Sequence, residues 1–117
     1  MRYRQRQHLR SKADFSGIRA SGKGRECGFF YMRLLERPCP GTPLRRLGVI
    51  ASRRVGNAVQ RNRAKRLLRE LFRLHQDALP PACDLLLIAR ARINRVRFDD
   101  LEARFLKTLP SLSSRQS

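Results

Sequence analysis

Between Arg53 and Glu70 the chain reads RRVGNAVQRNRAKRLLRE, and one acid stands against seven cations there. Guanidinium groups at helical spacing match the repeat of phosphate oxygens along a polynucleotide, and each can grip an oxygen pair bidentately. Asn57 is a good N-cap after the flexible Gly56, and no Gly or Pro follows until Pro80, so the segment predicts a helix through Leu79. At 100° per residue, Ala64, Leu67, Leu68, Leu71 and Leu74 fall in one arc of roughly 120°. Arg61, Asn62, Lys65, Arg66, Arg69 and Arg73 fall in a separate arc of roughly 140°. One helix thus offers a core-facing stripe beside a row of cations with an amide among them. A solvated basic face is the bland alternative, but such a face ordinarily mixes Glu with Lys. Glu70 is the only acid from Arg53 to His75, and that favours a nucleic-acid surface.

Chemistry on the chain itself finds little support. Acid–base cleavage of RNA needs two well-placed histidines, or His with Lys or Glu. Only His8 and His75 exist; His8 precedes the first predicted element, and His75 falls near the apolar arc, as a structural histidine would. Two-metal hydrolysis needs several converging carboxylates, whereas Asp99 and Asp100 are adjacent and Asp14, Asp77 and Asp84 share no motif. Phosphate loops and nucleophile elbows are missing. Cys27, Cys39 and Cys83 fit neither a CxxC pair nor zinc spacing, so reduced thiols are expected, with Cys83 a small core residue.

Composition agrees. The 117 residues carry 27 Lys and Arg against 9 Asp and Glu, a formal charge of +18 that a compact domain tolerates best against a polyanion. No stretch has the apolar length of a membrane span, and no apolar run follows the Arg-rich N-terminus, which predicts a cytoplasmic protein.

The elements that position the cations follow from pattern. Residues 1–10 read as a basic, flexible arm, residues 11–110 as one domain, and residues 111–117 as a polar tail. Ser11 caps a short helix to about Ala20, carrying Phe15 and Ile18 on one face, and Ser21 to Gly24 end it. Gly28 to Leu35, rich in Phe29, Phe30 and Tyr31, is a strand, as is Arg46 to Ser52. Between them lies a Pro-rich loop with room for an extra hairpin strand. The apolar run Asp84 to Ala89 is a strand buried on both faces, and Arg90 to Arg97 a basic loop. Asp99 is the expected N-cap of a last helix with Leu101, Phe105, Leu106 and Leu109 inward. The order α-β-β(-β)-α-β-α makes an α+β fold, a two-layer α-β sandwich with one sheet face partly open. Phe15 is the leading candidate to stack on an unpaired base; for Phe29, Phe30 and Tyr31 core packing competes, because alternation turns only one side of a strand toward a ligand.

The segment Arg54 to Glu70 resembles the signature of the bacterial ribonuclease P protein component: a basic pair, Val-Gly-Asn-Ala-Val, one residue, Arg-Asn-Arg, one residue, Lys-Arg. The resemblance extends over about residues 8 to 110, through Ser-Lys-Ala-Asp-Phe, Leu-Gly-Val-Ile-Ala-Ser and Asp-Leu-Leu-Leu-Ile-Ala-Arg in the family's order. It implies a fold like the second domain of ribosomal protein S5, with the long helix in a left-handed βαβ crossover. It also implies a protein that assists a catalytic RNA in removing the 5′ leader from precursor tRNA, with Mg2+ and the bond-breaking on the RNA. Arg61, Asn62, Arg63, Lys65 and Arg66 would then meet the RNA subunit, joined by Arg53, Arg54, Asn57 and Arg69. Phe15, Arg19, Phe30 and Tyr31 would line the leader cleft; Arg19 stands where relatives often carry a second aromatic. No obligate protein partner and no membrane are implied. A structural RNA-binding protein of ribosomal or assembly type is the alternative that charge alone allows.

Overall fold

A computed structural model describes residues 22–36 and 44–112. The N-terminal arm, the expected short helix with Phe15 and Arg19, the Pro-rich loop with Cys39, and residues 113–117 of the polar tail lie outside the described residues. Four strands and two helices follow in order: β1 (Lys23–Glu26), β2 (Phe30–Glu36), β3 (Arg45–Ile50), α1 (Ala58–His75), β4 (Cys83–Ala89) and α2 (Phe98–Thr108). The sheet runs β1-β2-β4-β3, with β1 and β4 antiparallel to β2 and β3 parallel to β4. Parallel neighbours need a crossover, and α1 is that crossover.

Period-two alternation in the strands fixes which face meets the helices. Phe30, Met32 and Leu34 of β2, Leu47 of β3 and Leu85 and Leu87 of β4 pack into one core with Ala64, Leu68, Leu71, Phe72, Leu101 and Phe105. The other face carries Leu86 among Leu35, Ile50 and Ile88. The central strand β4 is therefore buried on both sides, as its unbroken apolar run predicts.

Five details depart from the sequence reading, the first being that α1 stops at His75, short of the predicted Leu79, and gives way to a 3-10 turn over Gln76–Ala78. The additional strand is β1, ahead of the aromatic strand, where Gly24 reads as a helix terminator. A short polar edge strand carries almost no period-two signal; its hairpin with β2 defines it, closed by Cys27 N–H donating to Phe30 O at 2.8 Å. The buried stripe of α1 is rotated toward Phe72, leaving Leu74 exposed. The helix α2 starts two residues early, with Arg97 at the N-cap and no side-chain cap, so Asp99 and Asp100 sit in the first turn against the positive end of the helix dipole. Leu106, placed inward by the sequence reading, is exposed, whereas Leu101, Phe105 and Leu109 are buried.

Cys27 and Cys83 are buried and form no disulfide among the described residues. Burial pushes the Cys27 thiol up from its ordinary value, against a smaller downward pull from its hydrogen bond to Thr108 Oγ1 at 3.5 Å. His75 contacts Glu102 Oε2 at 2.6 Å and lies beside the Phe105 ring, tying α1 to α2.

Candidate nucleic-acid interface

The start of α1 is held by a reciprocal cap. Asn57 Oδ1 accepts from Gln60 N–H at 2.9 Å, and Gln60 Oε1 accepts from Asn57 N–H at 2.8 Å. Gly56 must be glycine: its φ is +142°, and a Cβ there would overlap the Gln60 amide. Val55 plugs the preceding turn into the core, while Arg53 and Arg54 on that turn are exposed. The sequence Val-Gly-Asn-Ala-Val-Gln thus sets where the helix begins and how it is rotated. Asn57, expected among the RNA contacts, has its side-chain oxygen engaged as this cap.

That rotation decides which cations reach solvent. On the helical wheel the buried residues Ala64, Leu68, Leu71 and Phe72 centre roughly opposite Asn62, Arg66, Arg69 and Arg73. Accordingly Asn62, Arg63, Arg66 and Arg69 are exposed, and Arg61 and Lys65 lie half-buried at the rim of the stripe. None of these cations is ion-paired among the described residues. Three other arginines are committed to acids. Arg46 forks onto Asp84, Arg73 onto Glu70, and Arg90 reaches Glu26 at 2.7 Å. The first turn of α1 holds no acid, so the helix dipole adds to the cationic field. Val59, 76% exposed beside them, is an apolar contact the sequence reading did not single out.

The second candidate surface is the sheet face turned away from both helices. Phe30 does not belong to it. The side chain is fully buried on the helix side, where β2 alternation places Met32 and Leu34 with it, so it is removed from the leader-contacting set. Tyr31 points the other way. Its ring lies over Gly24, where a Cβ would overlap the phenol oxygen, and that oxygen accepts from Arg33 Nη1 at 2.9 Å. The Arg90 guanidinium sits 5.4 Å from the ring centroid. Arg33 and Arg90 are therefore residues the sequence reading missed. Arg33 was within reach, two positions from Tyr31 on one strand; Arg90 needed the register that places β4 beside β2. Phe15 and Arg19 lie outside the described residues. Among the described residues no group of three or more His, Cys, Asp or Glu is placed to hold a metal ion, and no helix is long and apolar enough to cross a membrane.

A cationic helix face on one side and a half-buried tyrosine among arginines on the other suit a protein that meets RNA. The model of the ribonuclease P family matches residues 3–113. The chain belongs to the ribonuclease P protein family. The ribonuclease P protein component of Desulforapulum autotrophicum is 36% identical over 109 residues, covering 90% of this chain and 91% of its own. That of Thermotoga maritima is 30% identical over 111 residues, covering 92% of each. The solved ribonuclease P protein of Thermotoga maritima superposes with a TM-score of 0.73 at 30% identity, covering 87% of this chain and 94% of that one. A Staphylococcus aureus ribonuclease P protein superposes with a TM-score of 0.75 at 25% identity, covering 95% and 98%. As a ribonuclease P protein, the chain is a subunit of a tRNA-processing ribonuclease and associates with ribonuclease P RNA.

Proposed function

We propose that the exposed face of α1 binds the catalytic RNA subunit while the opposite sheet face holds the 5′ leader of precursor tRNA, so that the protein promotes removal of the leader in the cytoplasm. The observation that carries this reading is the division of the arginines. Acids neutralise Arg46, Arg73 and Arg90, and the motif cations on α1 are left to an external anion. In this reading Arg53, Arg54, Arg61, Asn62, Arg63, Lys65, Arg66 and Arg69 contact RNA phosphates, and Asn57 positions them by capping. Tyr31, with Arg33 and Arg90 around it, offers a stacking surface to an unpaired nucleotide, a contact worth about 1–3 kcal/mol per base.

Bond-breaking belongs to the RNA, with magnesium ions held by the RNA and the substrate. This chain lowers the repulsion between two polyanions and orients the leader. Reconstitution tests it: the purified chain, the RNA subunit and precursor tRNA are mixed at physiological magnesium. Stimulated release of the leader is expected. Tight RNA binding without stimulation would instead make the chain a structural RNA-binding protein, and cleavage without added RNA subunit would place the chemistry on the polypeptide.

A further inference from the structure

The connection from β4 to α2 is an ordered turn. Residues Ile93–Arg95 form a single 3-10 turn, closed by Ile93 N–H donating to Arg90 O at 3.1 Å and Arg95 N–H to Arg92 O at 3.0 Å. Ile93 is fully buried in the core. Asn94 Nδ2 donates at 2.9 Å to the main-chain oxygen of Gln60, the residue just before Arg61 in the first turn of α1. A plug and a latch thus dock this turn against the end of α1 where the cationic motif begins. Arg92 and Arg95 flank the plug, and both are exposed with no ion pair among the described residues. Arg90, at the start of the same connection, is committed to Glu26 and Tyr31.

We propose that this turn is a second phosphate-binding element, Arg92 and Arg95 taking the RNA subunit's backbone in continuation of the α1 cations. The inference rests on the reading that α1 faces that RNA. Two free guanidinium groups on an anchored turn beside an acid-free helix start suit an extended, regularly charged polymer. Anchoring keeps the ordering cost on binding small. Asn94 is the positioning residue.

The test uses the full chain carrying Arg92→Ala with Arg95→Ala, titrated against the RNA subunit across a series of monovalent salt concentrations. Loss of two phosphate contacts lowers the log–log salt slope by about 1.4 to 1.8. With a shared intercept at 1 M salt, that is roughly 25- to 60-fold weaker binding at 0.1 M. Arg92→Lys with Arg95→Lys retains most of the slope. At saturating protein, the assembled holoenzyme keeps its affinity for precursor tRNA. An unchanged slope and affinity for the alanine pair overturns the proposal. A loss confined to precursor tRNA also overturns it, because the phosphates then belong to the substrate. Arg61→Ala with Arg66→Ala is run in parallel: if that pair weakens RNA binding and the turn variant does not, only this inference falls. If neither has an effect, the reading of α1 falls with it.

Discussion

Arg46 lays its guanidinium against both oxygens of Asp84, Nε to Oδ1 at 2.8 Å and Nη2 to Oδ2 at 2.9 Å, across the parallel pair of strands that α1 connects. Asp84 is almost fully buried, and Arg46 keeps a quarter of its side chain in solvent. Breaking such a pair from one side leaves a charge without its partner. Asp84→Ala is expected to destabilise the protein by about 3 kcal/mol, and the paired change Arg46→Met with Asp84→Leu to recover most of that. Urea unfolding decides it; a loss below about 1 kcal/mol for Asp84→Ala would show that the pair is not structurally required.

Capping and RNA contact can be separated at Asn57. Serine also caps helices, so Asn57→Ser is expected to keep both the thermal midpoint and the RNA affinity. Asn57→Ala should lower stability by about 1 kcal/mol. Should Asn57→Ser melt normally yet bind the RNA subunit tenfold more weakly, the amide touches RNA directly.

Glu70 holds Arg73 at 2.7 Å through both oxygens. Its hydrogen bond to Arg73 draws the Glu70 carboxyl below its ordinary value, so the pair is intact above that value and is lost only as the pH falls through the acid range. At neutral pH, Glu70→Gln therefore frees a guanidinium and removes the one acid from the cationic stretch. RNA binding should tighten and the salt slope steepen by about 0.7 to 0.9, equally at pH 6 and pH 8, with little change in melting. Weaker binding by the variant would mean that Glu70 orders Arg73 for the RNA.

Adjacent aromatics on β2 should fail in opposite ways. Phe30→Ala opens the core and is expected to cost about 3–5 kcal/mol in unfolding free energy. Tyr31→Ala should leave stability nearly intact while lowering the holoenzyme's affinity for leader-bearing precursor relative to mature tRNA. Loss of that discrimination by Phe30→Leu, and its retention by Tyr31→Ala, would reverse the assignment of the two faces.

The features legible in sequence were those with a strong local period or motif. The cap that starts α1 and the doubly buried β4 each follow from one window of residues. The side chosen by Phe30 did not, because an aromatic strand reads alike for core and for stacking until pairing with β4 sets Phe30 opposite Ala89 and Tyr31 opposite Ile88. The rotation of α1 escaped for a related reason: Phe72 lies outside the leucine arc, and only packing against α2 and the sheet brings it inward. Nor could composition separate free arginines from committed ones. Asp84 and Glu26 are 38 and 64 residues from the arginines they neutralise.

Gly56 and the reciprocal Asn57–Gln60 cap fix the start of α1 after β3, and α1 returns through the 3-10 turn Gln76–Ala78 into the strand beside the one it left. The cationic helix is braced at both ends by neighbouring strands, so it cannot swing to meet an irregular target without shearing the sheet. On the proposed reading of α1, fitting is left to the RNA: the polypeptide serves as the template, and the nucleic acid moulds itself to it.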